Sequence, residues 1–169
     1  IIGGDGTCLW ANQLYKNKPK PPFFCFHGGN LGFLAVYEPE NYKKIFDELY
    51  TVGEYNLINR KEINCTVYKK KGVDKKEDKA VDINNFEGYE KIAVYNALNE
   101  LILEKKKNMS HLYLFLKDQF LAKVSSDGFI ASSPTGSTAY SLSAGGPILH
   151  NDVDGIIISA ICPFSLSFR

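Results

Sequence analysis

The sequence predicts a mixed fold, in which an α/β segment at the N-terminal end is followed by a segment rich in β-strands. Two glycine-rich turns each follow a short apolar run, which is typical of strands that lead into the loops of an α/β unit. From residue 55 onward, short runs of alternating apolar and polar residues replace the helical pattern. We therefore predict two domains, at residues 1–54 and 55–169.

Composition excludes several classes of protein. The chain has 169 residues, 44% of them hydrophobic, and a net charge of +1, so it carries no broad basic surface for nucleic acid or an anionic membrane. No apolar run approaches the length of a membrane span. The four cysteines are far apart and form no Cys-x-x-Cys pair, so we expect reduced thiols of a cytoplasmic protein, without a disulfide framework or a zinc site.

The Gly-Gly-Asp-Gly-Thr turn at residues 3–7 is the first candidate site. It follows the β-branched pair Ile1 and Ile2 and precedes a predicted helix at residues 8–14. Unpaired N–H groups at a helix start attract anions, and glycines let a phosphate approach the backbone. Asp5 would repel a phosphate, which suggests a proton acceptor or a cation partner. The alternative is an ordinary turn in which Asp caps the helix.

A second glycine-rich loop, at residues 27–34, follows an apolar run at residues 23–26 that predicts a buried parallel strand. Two such loops at the carboxyl ends of neighbouring strands would form a cleft. Phe33 would lie either in the core or against a nucleobase. Residues 38–50 then predict an amphipathic helix.

The rest of the chain predicts strands, with one polar interruption. Residues 69–87 carry lysines mixed with acids and predict a solvated loop. A hairpin is expected over residues 111–124, with its turn at residues 118–119. Further strands are expected at residues 62–68, 91–107, 128–132 and 155–162.

A hydroxyl-rich segment at residues 132–143 is the second candidate site. It follows a predicted strand and leads into a short helix that begins near Ser137. Hydroxyls and unpaired N–H groups at a helix start suit ribose or phosphate recognition. The alternative is a capped helix on a glycine-rich linker.

In this order, the motifs at residues 3–7, 27–33, 98–100 and 127–140 resemble those of the NAD kinases, and the closing stretch at 161–169 is similar to eukaryotic-type members. These enzymes phosphorylate the adenosine 2′-hydroxyl of NAD to give NADP. The resemblance implies a partial Rossmann-like α/β domain followed by a β-sandwich domain that binds NAD, with the dinucleotide between them. It also implies that both domains are incomplete here and that the protein forms a dimer or tetramer.

The resemblance also implies a set of site residues. Asp5 would be the catalytic base, and Gly4, Gly6 and Thr7 would hold the phosphates of ATP, with Mg²⁺ bound through those phosphates. The residues implied to contact NAD are Phe33, Asn99, Glu100, Asp127, Thr138, Ala139, Tyr140 and Ser143. The motifs do not choose between NAD and NADH, or between ATP and polyphosphate.

Two other functions stay open at this point. One is a dinucleotide-binding fragment without catalytic activity. The other is a lipid kinase of the diacylglycerol or sphingosine type, since such enzymes carry turns similar to residues 3–7 but do not need the block at residues 134–140.

Overall fold

The structure is a computed structural model that describes residues 1–16, 18–53, 55–72, 87–105, 110–117 and 119–165. It divides into two compact units, Ile1–Asn59 and Arg60–Arg169. The sequence prediction places this boundary a few residues earlier, after residue 54. Each unit is described by itself below. No helix among the described residues combines the length and apolar character needed to cross a membrane.

The first unit contains the predicted helices with shifted ends. Helix α1 (Asp5–Leu14) begins directly after Gly4, so the glycine turn itself forms the helix start. A 3₁₀ turn (Pro39–Asn41) leads into helix α2 (Tyr42–Val52). Helix α2 ends at Gly53, whose φ of 68° is the left-handed conformation that glycine adopts without steric cost.

The strand predicted at residues 23–26 is reduced to isolated parallel bridges, from Phe26 to Ile2 and to Tyr37. Proline at positions 21 and 22 removes backbone donors before this stretch, and glycines follow it, so a longer ladder does not form. Phe26 still accepts a hydrogen bond from Gly3 N at 2.9 Å. The prediction of a strand is therefore wrong, while its parallel direction is right. The buried core beneath consists of Cys8, Cys25 and Ala35.

The second unit is built from antiparallel strands. Within the described residues, β1 pairs with β2, β4 pairs with β5, and β6 lies between β3 and β7. The strands are β1 (Ile63–Lys70), β2 (Tyr89–Ala97), β3 (Glu100–Glu104), β4 (Ser110–Leu116), β5 (Gln119–Ser126), β6 (Gly128–Ser132) and β7 (Ile157–Ile161). A 3₁₀ turn (Thr135–Thr138) and the four-residue helix α3 (Tyr140–Ser143) lie between β6 and β7.

The central strand β6 separates two environments. Phe129 packs with Val124 and Ala160 in the core. Because side chains alternate along a strand, Ile130 and Ser132 point to the opposite face. Glu100 is paired with Ser132 across the β3–β6 ladder, so it belongs to that opposite face as well. The start of β3 and the end of β6 therefore bring two predicted motifs together.

Three predictions about the β region need correction or restriction. The strand expected at residues 91–107 is broken at residues 98–99, which separate β2 from β3. Gln119 is not a turn residue but the first residue of β5, and Lys117, with φ 53°, takes the turn conformation instead. Position 118, residues 73–86 of the predicted lysine-rich loop and residues 106–109 lie outside the described part of the chain.

Candidate functional site

Asp5 connects the first glycine turn with the second glycine-rich loop. Its Oδ2 accepts the backbone N–H of Phe33 at 2.8 Å, and its Oδ1 accepts those of Leu34 and Ala35 at 2.8 and 3.1 Å. Gly4 holds the N-cap position and Asp5 is the first helical residue, so the alternative in which Asp5 caps the helix is wrong. The carboxylate instead orders a loop that lies about thirty residues further along the chain.

Gly32 and two glycines of the first turn, Gly4 and Gly6, have opposite surroundings. A Cβ built on Gly32 would overlap the Asp5 carboxylate, so this position has room for glycine alone. A Cβ built on Gly4 or Gly6 meets no atom within 4 Å, so the surface over the helix start is open. Phe33 as a whole residue is 65% exposed. An open helix start and an exposed ring are suited to an anion and to a flat base, respectively.

Asn99 and Glu100, at the start of β3, carry the clearest sign of a ligand in the second unit. Asn99 Oδ1 and Glu100 Oε2 are both buried, and neither has a hydrogen-bond partner among the residues that the structure describes. Burial also raises the pKa of Glu100 above its ordinary value, because the charged carboxylate loses hydration. Buried acceptors without donors are rare in folded proteins. The pair is therefore available to N–H or O–H donors of a ligand.

Most hydroxyls of the hydroxyl-rich segment form hydrogen bonds with other groups of the protein. Ser137 Oγ donates to the Pro134 carbonyl at 2.6 Å and accepts the N–H of Leu149 at 3.0 Å. Ser141 Oγ lies 3.1 Å from Ser159 Oγ. The segment forms a 3₁₀ turn and four helical residues in place of the expected helix from Ser137. Its buried serines are structural, because their hydrogen bonds are satisfied within the protein.

The predicted contact residues of this segment are less buried than its serines. Tyr140 is 38% exposed, Ser143 is exposed, and Thr138 and Ala139 are partly buried. Thr138 ends the 3₁₀ turn and the other three residues follow it. This turn packs against Asn99, since a Cβ built on Gly136 would overlap the Asn99 backbone. The structure therefore brings the two predicted motifs of the second unit together.

Asp127 stands apart from this group. Its carboxylate forms an ion pair with Lys105, and both side chains are more than one third exposed. The main chain of the same two residues is also joined, because Lys105 N donates to the Asp127 carbonyl at 2.9 Å. The pair lies at the far end of β3 and β6 from Asn99 and Glu100.

Sequence reasoning missed Arg60 and Asn151. Arg60 Nη1 donates to Thr135 Oγ1 at 3.2 Å and to Asn151 Oδ1 at 3.3 Å, and Thr135 itself donates to Asn151 at 3.0 Å. This network supports the outer side of the 3₁₀ turn. These partners are 75 and 91 residues away from Arg60, so no local pattern in the sequence could have indicated the network.

The residues that the structure describes do not include any group of three or more His, Cys, Asp or Glu side chains able to hold a metal ion. The four cysteines are free thiols, with Cys8 and Cys25 buried, Cys65 partly buried and Cys162 exposed.

These observations define a protein with an α/β unit, whose glycine turn is open to an anion, and an antiparallel β unit with a buried, unpartnered acceptor pair. The profile described as ATP-NAD kinase N-terminal domain matches residues 1–55, and the profile for the ATP-NAD kinase C-terminal domain matches residues 98–169. The chain belongs to the ATP-NAD kinase family.

Curated relatives match this chain in sequence along its whole length. An NAD kinase of Clostridium botulinum is 38% identical over 100% of this chain and 53% of its own length. A probable NAD kinase 1 of Oryza sativa is 36% identical over 99% of this chain and 29% of its own length. The chain thus spans about half, or less, of the curated relatives it matches.

Solved structures show the same fold. A yeast NADH kinase complexed with NADH superposes with a TM-score of 0.79 at 35% identity, over 99% of this chain and 42% of that one. An NAD kinase from Archaeoglobus fulgidus in complex with ATP gives a TM-score of 0.65 at 26% identity, over 99% of this chain and 57% of that one. The predicted α/β domain followed by a β-sandwich is confirmed.

Proposed function

We propose that the protein is an NAD kinase, which transfers the γ-phosphoryl group of ATP to the adenosine 2′-hydroxyl of NAD to give NADP. The observation that carries this proposal is the unpartnered acceptor pair at Asn99 and Glu100 in a chain of the ATP-NAD kinase family. The matches to both ATP-NAD kinase domains do not favour a lipid kinase or a non-catalytic fragment.

Recognition of NAD follows from the chemistry of the pair. An adenine ring offers an exocyclic amine and a ribose offers hydroxyls, and all of these are hydrogen-bond donors. Asn99 Oδ1 and Glu100 Oε2 accept from them in our proposal. Thr138, Ala139, Tyr140 and Ser143 then line the adenosine and pyrophosphate, and Asp127 and Phe33 make further contacts with the dinucleotide. The partly buried and exposed surfaces of the first four residues support this arrangement.

Catalysis in this proposal requires a proton acceptor for the ribose hydroxyl, and we assign that role to Asp5. The three N–H donors around its carboxylate favour the ionised form, which is the form that accepts a proton. A well-placed base contributes roughly 10²–10⁴-fold to the rate. Gly4, Gly6 and Thr7 hold phosphate oxygens at the open helix start, and Mg²⁺ would arrive with the phosphates and neutralise their charge.

The test is an NADP-forming assay on the full-length gene product with ATP, Mg²⁺ and NAD, coupled to an NADP-specific dehydrogenase. Calorimetric titration with NAD accompanies it. NADP formation supports the proposal. Binding of NAD without NADP formation would favour a dinucleotide-binding module, and phosphorylation of diacylglycerol or sphingosine would favour a lipid kinase.

We also propose a homo-oligomer, dimer or tetramer, in the cytoplasm. Large apolar side chains on the strands of the second unit support assembly, including Val94, Leu103 and Phe120, which are 36%, 53% and 55% exposed. Four free cysteines support a reducing compartment. Light scattering on the purified protein and fractionation of cells would test the two statements.

A further inference from the structure

Ser133 joins the two motifs of the second unit through three hydrogen bonds. Its Oγ donates to the Leu98 carbonyl at 2.5 Å and accepts the N–H of Gly136 at 3.1 Å. Its own N–H donates to the Asn99 carbonyl at 2.8 Å. The side chain is 1% exposed, so these bonds are shielded from water. One residue therefore fixes the turn at residues 98–99 to the 3₁₀ turn at Thr135–Thr138.

The turn that Ser133 holds is also the one that carries the unpartnered acceptors. Asn99 follows Leu98 directly, and Glu100 comes next, as the first residue of β3. Gly136 packs so closely on Asn99 that an added Cβ would overlap its backbone. The Asn99 main chain is thus held by Ser133 and by Gly136, while its side-chain oxygen has no hydrogen-bond partner within the described part of the chain.

We infer that Ser133 is a positioning residue for the acceptor nucleotide, which rests on the proposed function. Its hydroxyl holds the turn at residues 98–99 in one conformation, so that Asn99 Oδ1 and Glu100 Oε2 meet the dinucleotide without first being ordered. Ser133 touches no ligand in this scheme. A site that is already ordered binds more tightly, because ordering costs free energy at the moment of binding.

Ser126 offers a matched control. Its side chain is also fully buried, and its Oγ donates to a backbone carbonyl, that of Gly128, at 2.8 Å. That bond spans two residues and does not reach the turn at residues 98–99. Replacing either serine by alanine removes one buried hydroxyl from the second unit, so both variants are expected to lose stability to a similar extent.

The experiment combines these variants with Asn99→Ala in the full-length gene product and measures KM for NAD. Ser133→Ala is expected to raise KM by about fivefold to tenfold in the wild-type background. It should raise KM by less than about twofold in the Asn99→Ala background, because residues that act through each other are not additive. The effects of Ser126→Ala and Asn99→Ala on KM for NAD should be additive. Additive effects of Ser133→Ala, or an unchanged KM, would overturn the inference.

Two further measurements keep the result decisive. Ser133→Thr retains the hydroxyl and should restore KM, and Ser133→Cys replaces the alanine variant if that one does not fold. Amide hydrogen exchange over residues 97–101 is expected to speed up at least about threefold in Ser133→Ala, and not in Ser126→Ala. If no NADP forms with the wild-type protein, the proposed function fails; unchanged exchange in Ser133→Ala defeats the positioning role by itself.

Discussion

Glu100→Gln is expected to stabilise the protein at pH 8 and to weaken its binding of NAD, two effects of opposite direction from one atom. Glu100 Oε2 is buried without a partner, and the neutral amide of glutamine costs less to bury than a carboxylate. Because the Glu100 residue as a whole is only partly buried, removing this charge is expected to raise the free energy of unfolding by about 1 kcal/mol or less. In a chain of this length that corresponds to a rise in Tm of roughly 2–4 °C per kcal/mol.

The pH dependence of this gain follows from the raised pKa of Glu100 in the folded state. Below its ordinary value of 4.5 the carboxyl is neutral in both the folded and unfolded chain, so it carries no penalty. As the pH rises from there through the higher folded pKa, the unfolded chain ionises first and folded wild-type protein loses stability. The advantage of Glu100→Gln should therefore be complete above the folded pKa and absent below about pH 4.

The affinity of the Glu100→Gln protein for NAD should fall. A hydrogen bond to a charged acceptor contributes about 1.5–3 kcal/mol, so losing the charge should raise the Kd for NAD roughly 10- to 150-fold. Urea denaturation at pH 4 and pH 8 and calorimetry with NAD measure the two effects. Glu104→Gln, at the exposed end of the same strand, is the control and should change neither. A Glu100→Gln protein that is less stable at pH 8, or binds NAD as wild type does, would refute the reasoning.

Three shorter predictions concern Asp5, Gly32 and Cys8. Asp5→Asn should lower kcat by at least about 10²-fold while the Kd for NAD stays within about tenfold, as steady-state kinetics and calorimetry would show. Gly32→Ala should lower both stability, by about 1–3 kcal/mol in urea denaturation, and kcat, because the new methyl group displaces the Asp5 carboxylate. Gly29→Ala, whose Cβ meets no atom within 4 Å, should change neither. Burial raises the pKa of Cys8 to about 12, so alkylation at pH 8 followed by mass spectrometry should label exposed Cys162 and leave Cys8 unlabelled until the protein unfolds.

Local pattern was sufficient to predict the parts of this fold that local chemistry determines. The strand predicted at residues 128–132 is β6 (Gly128–Ser132), because a short apolar run of this length is typical of a strand buried along nearly its whole length. The helix after the glycine turn was also predicted, although it begins at Asp5, since the turn and the helix start are one element. The position of the hairpin turn was not predicted correctly, because it depends on which residue adopts the left-handed conformation. That residue is Lys117.

Contacts between distant residues could not be predicted. The carboxylate of Asp5 binds N–H groups 28 to 30 residues away, and Arg60 binds Thr135 across 75 residues. Nothing in the spacing of these residues shows that they meet. The hydroxyls of residues 132–143 illustrate the same difficulty, because a serine that faces a ligand and a serine that bonds an internal carbonyl are the same letter in the sequence. Ser133 and Ser137 proved to be of the second kind.

The two carboxylates to which we assign roles are held in contrasting environments. Three backbone N–H donors fix the carboxylate of Asp5, whereas burial raises the pKa of Glu100. A raised pKa alone would favour Glu100 as the base. In phosphoryl transfer through a loose transition state, however, the base accepts little of the proton until the O–P bond is well formed. A carboxylate that is fixed in place therefore contributes more through its position than through its basicity. An Asp5 carboxylate held by three backbone N–H groups meets that demand, and we assign Glu100 the acceptance of a hydrogen bond from the nucleotide.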